Sequence, residues 1–232
     1  MSGYIRQKEI LSLLEQKAEV RVEEFCHALY VSAPTIRRDL QALEREGLIR
    51  RTRGGAALLR GAGTESPFTL RSSEHHGAKE QMAEEAVTLI SDGMTLFLDS
   101  SSTILRLAAL LGRFQDLTVI TNGIRTVELL SDFPQLTVFS TGGRVRPHSK
   151  SLIGTSACDM IRQHCADLVF FSSQGVSEAF GPTEANEEEA QIKKCFLKSA
   201  KKAVFLADES KWGMDYCARI CRLEAIFRIF RR

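Results

Sequence analysis

Apolar residues recur at helical spacing three times near the start of the chain. YIRQKEILSLLEQK sets Ile5, Ile10, Leu13 and Leu14 near one helical face and its charges on the other. VRVEEFCHALYV repeats the pattern through Val22, Phe25 and Leu29, with Tyr30 and Val31 as a short connector. A third stripe, Ile36, Leu40 and Leu43, follows Ser32, a good helix cap, and Pro34, which a first turn tolerates; Gly47 is expected to end it. LIRRTRGGAALL then alternates around Gly54 and Gly55, as a small β-hairpin does. Three short helices and a hairpin predict a winged helix-turn-helix.

Further along, the apolar pattern changes character. Residues 60 to 79 are rich in Gly, Ser and Thr, poor in pattern, and read as a linker and the entry to a second domain. After a helix at KEQMAEEAVTLIS come five apolar runs: Met94–Leu98, Leu117–Ile120, Leu136–Phe139, Leu168–Phe171 and Ala203–Leu206. Each reads as a buried parallel strand, with helical segments at Ile104–Leu111, Arg125–Leu130 and Glu187–Ala200 between several of them. The expected fold class is α/β: a winged helix-turn-helix at residues 1–58, a linker at 59–76, and a mostly parallel, Rossmann-like sheet domain at 77–232.

Composition narrows the class without naming a function. With 232 residues, 44% hydrophobic and 26% charged, the chain is an ordinary globular protein with room for two modest cores. No apolar run reaches the length of a membrane span, and the first residues lack the apolar core of a signal peptide. Cys26, Cys158, Cys165, Cys195, Cys217 and Cys221 form no CxxC pair and read as reduced thiols. These features predict a cytoplasmic protein. His75 and His76 have no cysteine nearby in sequence and read as exposed residues, so neither a metal nor a cofactor is expected.

Charge is uneven. Residues 1 to 60 hold 11 Lys and Arg against 8 Asp and Glu, and the rest of the chain is almost neutral. A local basic patch points to an anionic partner at one end of the molecule. If the third helix turns Ile36, Leu40 and Leu43 inward, Ala33, Pro34, Arg37 and Gln41 face outward near its amino end, beside Ser32, Thr35 and Arg38. That end of a recognition helix meets base edges in the major groove, where an arginine fork can pair with guanine or clamp a phosphate. Arg50, Arg51, Arg53 and Gly54 on the wing would follow the backbone of the same double-stranded DNA. A salt-bridged surface would use the same arginines, with Asp39, Glu44 and Glu46 as partners. An RNA-binding reading of RRTRGGA is weaker, because the segment continues a helix-turn-helix.

The run VSAPTIRRDLQALEREGLIRRTRGGA closely resembles the helix-turn-helix signature of the DeoR family of bacterial transcription repressors, through the serine, TIRRDL and the GLxRRxxGGA wing. Helix-turn-helix proteins read paired half-sites, so a homo-dimer or homo-tetramer is expected.

Polar residues gather where the strands end, the place where open α/β sheets bind ligands. Asp99, Ser100, Ser101, Ser102 and Thr103 leave one strand and enter a helix, whose first amides suit a phosphate. Thr121 and Asn122 end the next, and Gly142 and Gly143 follow another. Gln174, Glu187 and Lys211 stand in three further loops. Any one of these alone reads more readily as structural, a helix cap for instance, whereas five such loops at equivalent positions point to a pocket.

Residues from about 77 to 213 resemble the DeoR-type sensor domain, which is similar in fold to sugar-phosphate isomerases. The matching segments are the DSxxT loop, TN, GGxxRP, SLxG, NEEEA and ADxSKxG. The resemblance implies a phosphorylated sugar or related metabolite as effector, and a repressor of a carbohydrate-catabolic operon. Three departures stand out. Ser101 replaces a common glycine and narrows the loop; Ser172, Ser173, Gln174 and Gly175 replace GADG and remove an acid. CRLEAIFRIFRR replaces the usual LxxIDxLITD ending, which predicts an altered last strand or sheet edge. The alternative is a sugar-phosphate isomerase-like enzyme with an accessory DNA-binding domain, using Asp99 or Glu187 to Glu189 as acid and base. The absence of a Walker phosphate loop disfavours ATP chemistry.

Overall fold

Two compact units make up the chain, Met1–Leu70 and Arg71–Arg232. The structure, a computed structural model, describes residues 3–17, 19–45, 48–58 and 68–232. The expected helix stop at Gly47 and residues 59–67 of the expected linker lie outside the described residues, and the rest of that linker holds a helix, Phe68–Ser73, rather than irregular chain.

The first unit runs α1 (Gly3–Gln16), β1 (Val20–Arg21), α2 (Val22–Leu29), α3 (Ala33–Arg45), β2 (Ile49–Thr52) and β3 (Gly55–Leu58). Ile10, Leu11, Leu14, Phe25, Ile36, Leu40, Leu43 and Ile49 form its core. Ile5 has the spacing of that core but is half-exposed, and Leu11 is buried in its stead. The wing is a three-stranded antiparallel sheet in the order β1-β3-β2, rather than the expected two-stranded hairpin. Gly54 and Gly55 cause the difference. Gly54 turns the chain with φ +98°, and its carbonyl accepts the Val22 amide at 2.8 Å. A side chain on Gly55 would collide with the Val20 carbonyl, so the missing Cβ is what lets β1 lie against β3.

Helix α4 (Phe68–Ser73) spans the boundary, and the second unit continues through α5 (His76–Ala86), β4 (Thr95–Leu98), α6 (Ser102–Ala108), β5 (Thr118–Thr121), α7 (Ile124–Leu130) and β6 (Thr137–Ser140). A hairpin of β7 (Arg144–Arg146) and β8 (Ser151–Ile153) leads to α8 (Thr155–Arg162) and β9 (Ala166–Phe171). Then come β10 (Gly175–Ser177), β11 (Gly181–Glu184), α9 (Glu187–Ser199), β12 (Ala200–Ala207), β13 (Ala218–Arg219) and β14 (Arg228–Arg231). All five expected strands are present, in a six-stranded parallel sheet of order β14-β12-β9-β4-β5-β6.

Alternate strand residues face two cores. Leu96, Leu98, Phe170 and Leu206 pack against Met82 and Leu107 on one side, and Phe97, Val169, Phe171 and Phe205 pack against Ile161 and Phe196 on the other. This period of two, with helices covering both faces, is why the strands read as nearly continuous apolar runs.

The divergent ending still makes a strand. Ile229 and Phe230 pair in register with Phe205 and Leu206, so β14 completes the sheet instead of leaving β12 as its edge. The chain winds from β4 to β5 and β6, then crosses to β9 on the other side of β4. Such a reversal opens a crevice at the carboxyl ends of the two central strands. Asp99 to Ser102 follow β4, and Ser172 follows β9.

Candidate functional sites: a DNA-facing surface and a buried ionic cluster

Helix α3 displays a polar face. Ser32, Pro34, Arg37, Arg38 and Gln41 are exposed, while Ala33 and Thr35 are half-buried. Positions 34, 37, 38 and 41 share one side of a helix, opposite the buried Ile36, Leu40 and Leu43. The Ser32 carbonyl accepts the Thr35 and Ile36 amides at 3.0 and 3.1 Å, and its hydroxyl lies 3.1 Å from that of Thr35. Arg50, Arg51, Arg53 and Gly54 are exposed on the wing. Glu44 ties wing to helix by accepting the Arg51 amide at 3.1 Å.

Asp39, within the same signature, does different work. It is 4% exposed, and both its oxygens meet the Arg6 guanidinium, at 2.5 and 3.2 Å. The pair anchors α3 to α1. Arg37 and Arg38 make no ion pair among the described residues, and Glu46, a partner in the salt-bridged reading, lies outside them.

In the second unit, the switch-point crevice holds a buried ionic cluster. Asp99 is fully buried and accepts the Ser101 amide at 2.9 Å and the Ser172 amide at 3.0 Å. Lys193, from α9, lies 3.1 Å from Asp99 and 2.5 Å from Glu184, and donates to the Ser172 carbonyl at 2.8 Å. Burial works against its charge, but Asp99, Glu184 and Glu189 outweigh it and hold the ammonium strongly protonated. Lys211 donates to the Ser172 hydroxyl at 2.8 Å and lies 3.7 Å from Asp208. Burial, with Arg71 and Lys193 nearby, lowers the Lys211 pKa despite Asp208 and Glu184.

Lys79 completes the cluster and escaped the sequence reading. Only 3% exposed, it donates to the carbonyls of Arg71 and Glu74 and lies 3.4 Å from the Ser102 hydroxyl. Among the described residues no carboxylate lies within ion-pair distance of it. Burial, and next the charge of Lys211, lower its pKa to about 8. Asp208 opposes these cations: burial disfavours its charge, yet Lys211, the Ser210 hydroxyl, His75 and Lys79 hold its pKa below the usual value. Its Oδ2 has no hydrogen-bond partner, and neither do Thr103 Oγ1 and Asn122 Oδ1.

The other sequence candidates divide. Ser100, Ser101, Ser102, Thr103, Thr121 and Asn122 are all buried near the strand ends. Ser101 caps α6 by accepting the Ile104 amide, and Thr121 accepts the Gly123 amide. Gln174 accepts the Ala185 amide at 2.7 Å, so it braces the entry to α9. Gly142 has open space around it, whereas a side chain on Gly143 would strike the Ile153 carbonyl and Ala157. Glu187 is exposed; Glu189 is the inward glutamate, bound by the hydroxyls of Ser149 and Ser151 at 2.7 and 2.5 Å, with Arg146 at 3.5 Å. The first turn of a helix permits acids at all three positions, and only the turn geometry selects Glu189.

A groove of about 520 Å³ lies elsewhere, lined by residues of α5 and α6. Its lining carries Glu80, Glu84, Glu85 and Arg106, with Glu84 and Glu85 paired to Arg113 and Arg232. Among the described residues no group of His, Cys, Asp and Glu could hold a metal ion, and no helix is long and apolar enough to cross a membrane.

A winged helix-turn-helix followed by a doubly wound domain with a polar cluster at its switch point defines a DNA-binding regulator with a ligand-binding unit. The chain belongs to the DeoR family: the DeoR-like helix-turn-helix domain matches residues 6–61, and the DeoR C terminal sensor domain matches residues 74–231. The HTH-type transcriptional regulator GolR of Listeria innocua is 39% identical over 226 residues, covering 97% of this chain and 89% of that protein. The HTH-type transcriptional repressor GlcR of Bacillus subtilis is 34% identical over 204 residues, covering 88% and 78%. A putative aga operon transcriptional repressor of Escherichia coli O157:H7 is 27% identical, covering 95% and 83%. Among solved structures, ribose 5-phosphate isomerase A of Methanocaldococcus jannaschii shares 19% identity at a TM-score of 0.45, covering 60% of this chain and 55% of that one. The protein is thus a transcriptional regulator and not an enzyme. Of the acids considered for catalysis, Asp99 is held by three donors, Glu187 and Glu188 are exposed, and Glu189 is bound by two hydroxyls.

Proposed function

We propose that the chain represses a carbohydrate-catabolic operon and that a phosphorylated sugar, bound at the strand ends of the second unit, sets its affinity for operator DNA. One observation carries the effector reading. Lys79 is buried and Lys211 half-buried, close enough for Lys211 to lower the Lys79 pKa, and Asp208 lies 3.7 Å from Lys211. Buried cations of this kind are costly until an anion joins them, and a phosphate between them would supply the missing charge. Ser102 already reaches Lys79, and Thr103 and Asn122 offer unused oxygens to a sugar. Asp99, Ser100, Ser101, Thr121, Gly142, Gly143, Gln174 and Glu189 then form the supporting wall, with Glu187 at its outer margin.

Ser32, Ala33, Pro34, Thr35, Arg37, Arg38 and Gln41 are assigned to the major groove, and Arg50, Arg51, Arg53 and Gly54 to the phosphate backbone. The functional division is residues 1–58 for DNA, 59–76 as linker and 77–232 for the effector. The regulator acts in the cytoplasm as a homo-dimer or homo-tetramer. The names of the relatives, a repressor of the aga operon among them, support a carbohydrate operon as target.

The test is a panel of pentose and hexose phosphates, scored by calorimetry and by operator binding together on the wild type and on Lys211→Ala. The expected result is one phosphorylated sugar that binds, shifts the operator curve and loses both effects in the variant. A ligand that binds without moving the operator curve removes the sensor assignment, because equal affinity for both states shifts nothing.

A further inference from the structure

We propose that Arg231 is a positioning residue for the effector site, its guanidinium clamping the turn that carries Lys211. The proposal rests on the assignment of Lys211 to that site and adds the element that holds it in place. Residues Glu209 to Lys211 form a single 3-10 turn between Asp208 and Trp212. Arg231 grips that turn on both sides of Lys211. Its Nε and Nη2 donate to Glu209 Oε1 and Oε2 at 2.6 and 2.9 Å, a two-pronged pair, and its guanidinium centre lies 4.3 Å from the Trp212 ring centroid. The backbone adds a third hold, since the Glu209 amide donates to the Arg232 carbonyl at 2.7 Å while Ala207 pairs with Arg231 in the sheet.

Exposed ion pairs contribute little to stability, and Arg231 and Glu209 are about half exposed. Their geometry is nevertheless specific: a planar fork on a carboxylate and a flat cation over an indole fix two neighbours of one residue at once. A lysine has a long, flexible stem, so the direction of its ammonium depends on how firmly its own backbone is fixed. Lys211 must reach past the surface to the Ser172 hydroxyl at 2.8 Å. The divergent strand β14, by carrying Arg231, sets that reach.

The experiment uses the full chain and its single tryptophan, Trp212, as reporter. Arg231→Ala and Arg231→Lys are compared with wild type, Lys211→Ala and the Arg231→Ala/Lys211→Ala double variant. Inorganic phosphate is titrated by calorimetry, Trp212 emission is recorded without ligand, and the Lys211 resonance is followed against pH after reductive ¹³C-methylation. The expected result is a changed Trp212 emission and about tenfold weaker phosphate binding in both Arg231 variants, with no further loss in the double variant beyond Lys211→Ala. Lysine does not substitute, because it lacks the fork. Losses that add in the double variant, or unchanged phosphate affinity beside a changed emission, overturn the clamp. Should wild type bind no phosphate, the effector site falls and the clamp is decided by the Lys211 titration. A shift toward the ordinary lysine value in both Arg231 variants upholds it, and an unchanged titration overturns it. If Arg231→Ala fails to fold, Arg231→Lys carries the same comparisons.

Discussion

Lys193 Nζ and Asp99 Oδ2 lie 3.1 Å apart with both side chains almost completely buried, at the point where the central strands part. Asp99 therefore joins β4, β9 and α9 through three donors. Replacing Lys193 by Met leaves Asp99 and Glu184 buried without their cation and is expected to cost about 3–5 kcal/mol. Glu187→Gln, at an exposed position, should change stability by less than about 0.5 kcal/mol. Urea denaturation of the two variants checks the pair, and a mild effect for Lys193→Met contradicts the burial.

The Arg6–Asp39 contact leads to a separate expectation. Asp39 belongs to the helix-turn-helix signature yet faces α1, so its replacement loosens the seating of α3 without removing a DNA contact. Asp39→Ala should lower the melting temperature of the first unit by a few degrees and weaken every operator variant equally. Calorimetry and binding to a set of single-base operator variants would separate this from a base contact, which changes preference at one position.

How much of this was legible follows from what each residue's neighbours in sequence can reveal. The apolar stripes of α2 and α3 and the five strand runs announce themselves because burial repeats along a single element. Strand β1 did not, because Val20 and Val22 also fit the apolar spacing of the helix that follows, and the reason for pairing lies at Gly55, across the sheet. Helix α8 gives a weak apolar signal, its buried Ala157, Cys158 and Ile161 being small or few. Nothing in the neighbouring sequence marks Lys79 or Lys193, since only the fold brings α5 and α9 to the same crevice. Glu189 is hidden for a similar reason, as sequence marks the start of a helix but not which of its first residues turns inward. The altered ending was visible as a departure, while its pairing with β12 and the reach of Arg231 to Trp212 were not.

Arg37 and Arg53 should separate two kinds of DNA contact. If Arg37 reads a base, Arg37→Ala relaxes specificity at one operator position at a cost of roughly 1–3 kcal/mol. Arg53→Ala weakens all sequences alike and reduces the slope of affinity against salt by about one. Operator and non-operator titrations at several salt concentrations give both quantities. Unchanged curves for both variants would sink the assignment.

Assembly is the next expectation. A single recognition helix contacts too little DNA for operator affinity, so two half-sites must be held at once. The full chain should scatter light as a dimer or tetramer at concentrations where it binds operator, and an operator cut to one half-site should bind far more weakly. A monomer that binds both DNAs equally contradicts this.

Lys79 makes effector binding dependent on pH. Its folded-state pKa of about 8 lies below the ordinary lysine value of 10.5, so the folded chain releases this proton before the unfolded chain does. Between those values the unfolded state binds more protons, and this group's contribution to stability rises with pH; as pH falls through about 8 that contribution is lost. Phosphate binding has the opposite sign, because the attraction requires the charged ammonium. In the unliganded pH range around 8, affinity for a sugar phosphate should therefore fall as pH rises, with protons taken up on binding. Lys79→Met should bind more weakly at neutral pH and lose most of that dependence, while gaining stability there by removal of a buried charge without a carboxylate partner. Calorimetry in buffers of differing ionisation heat measures the proton uptake directly, and thermal melts measure the stability. Equal pH profiles for wild type and Lys79→Met would take Lys79 out of the effector site.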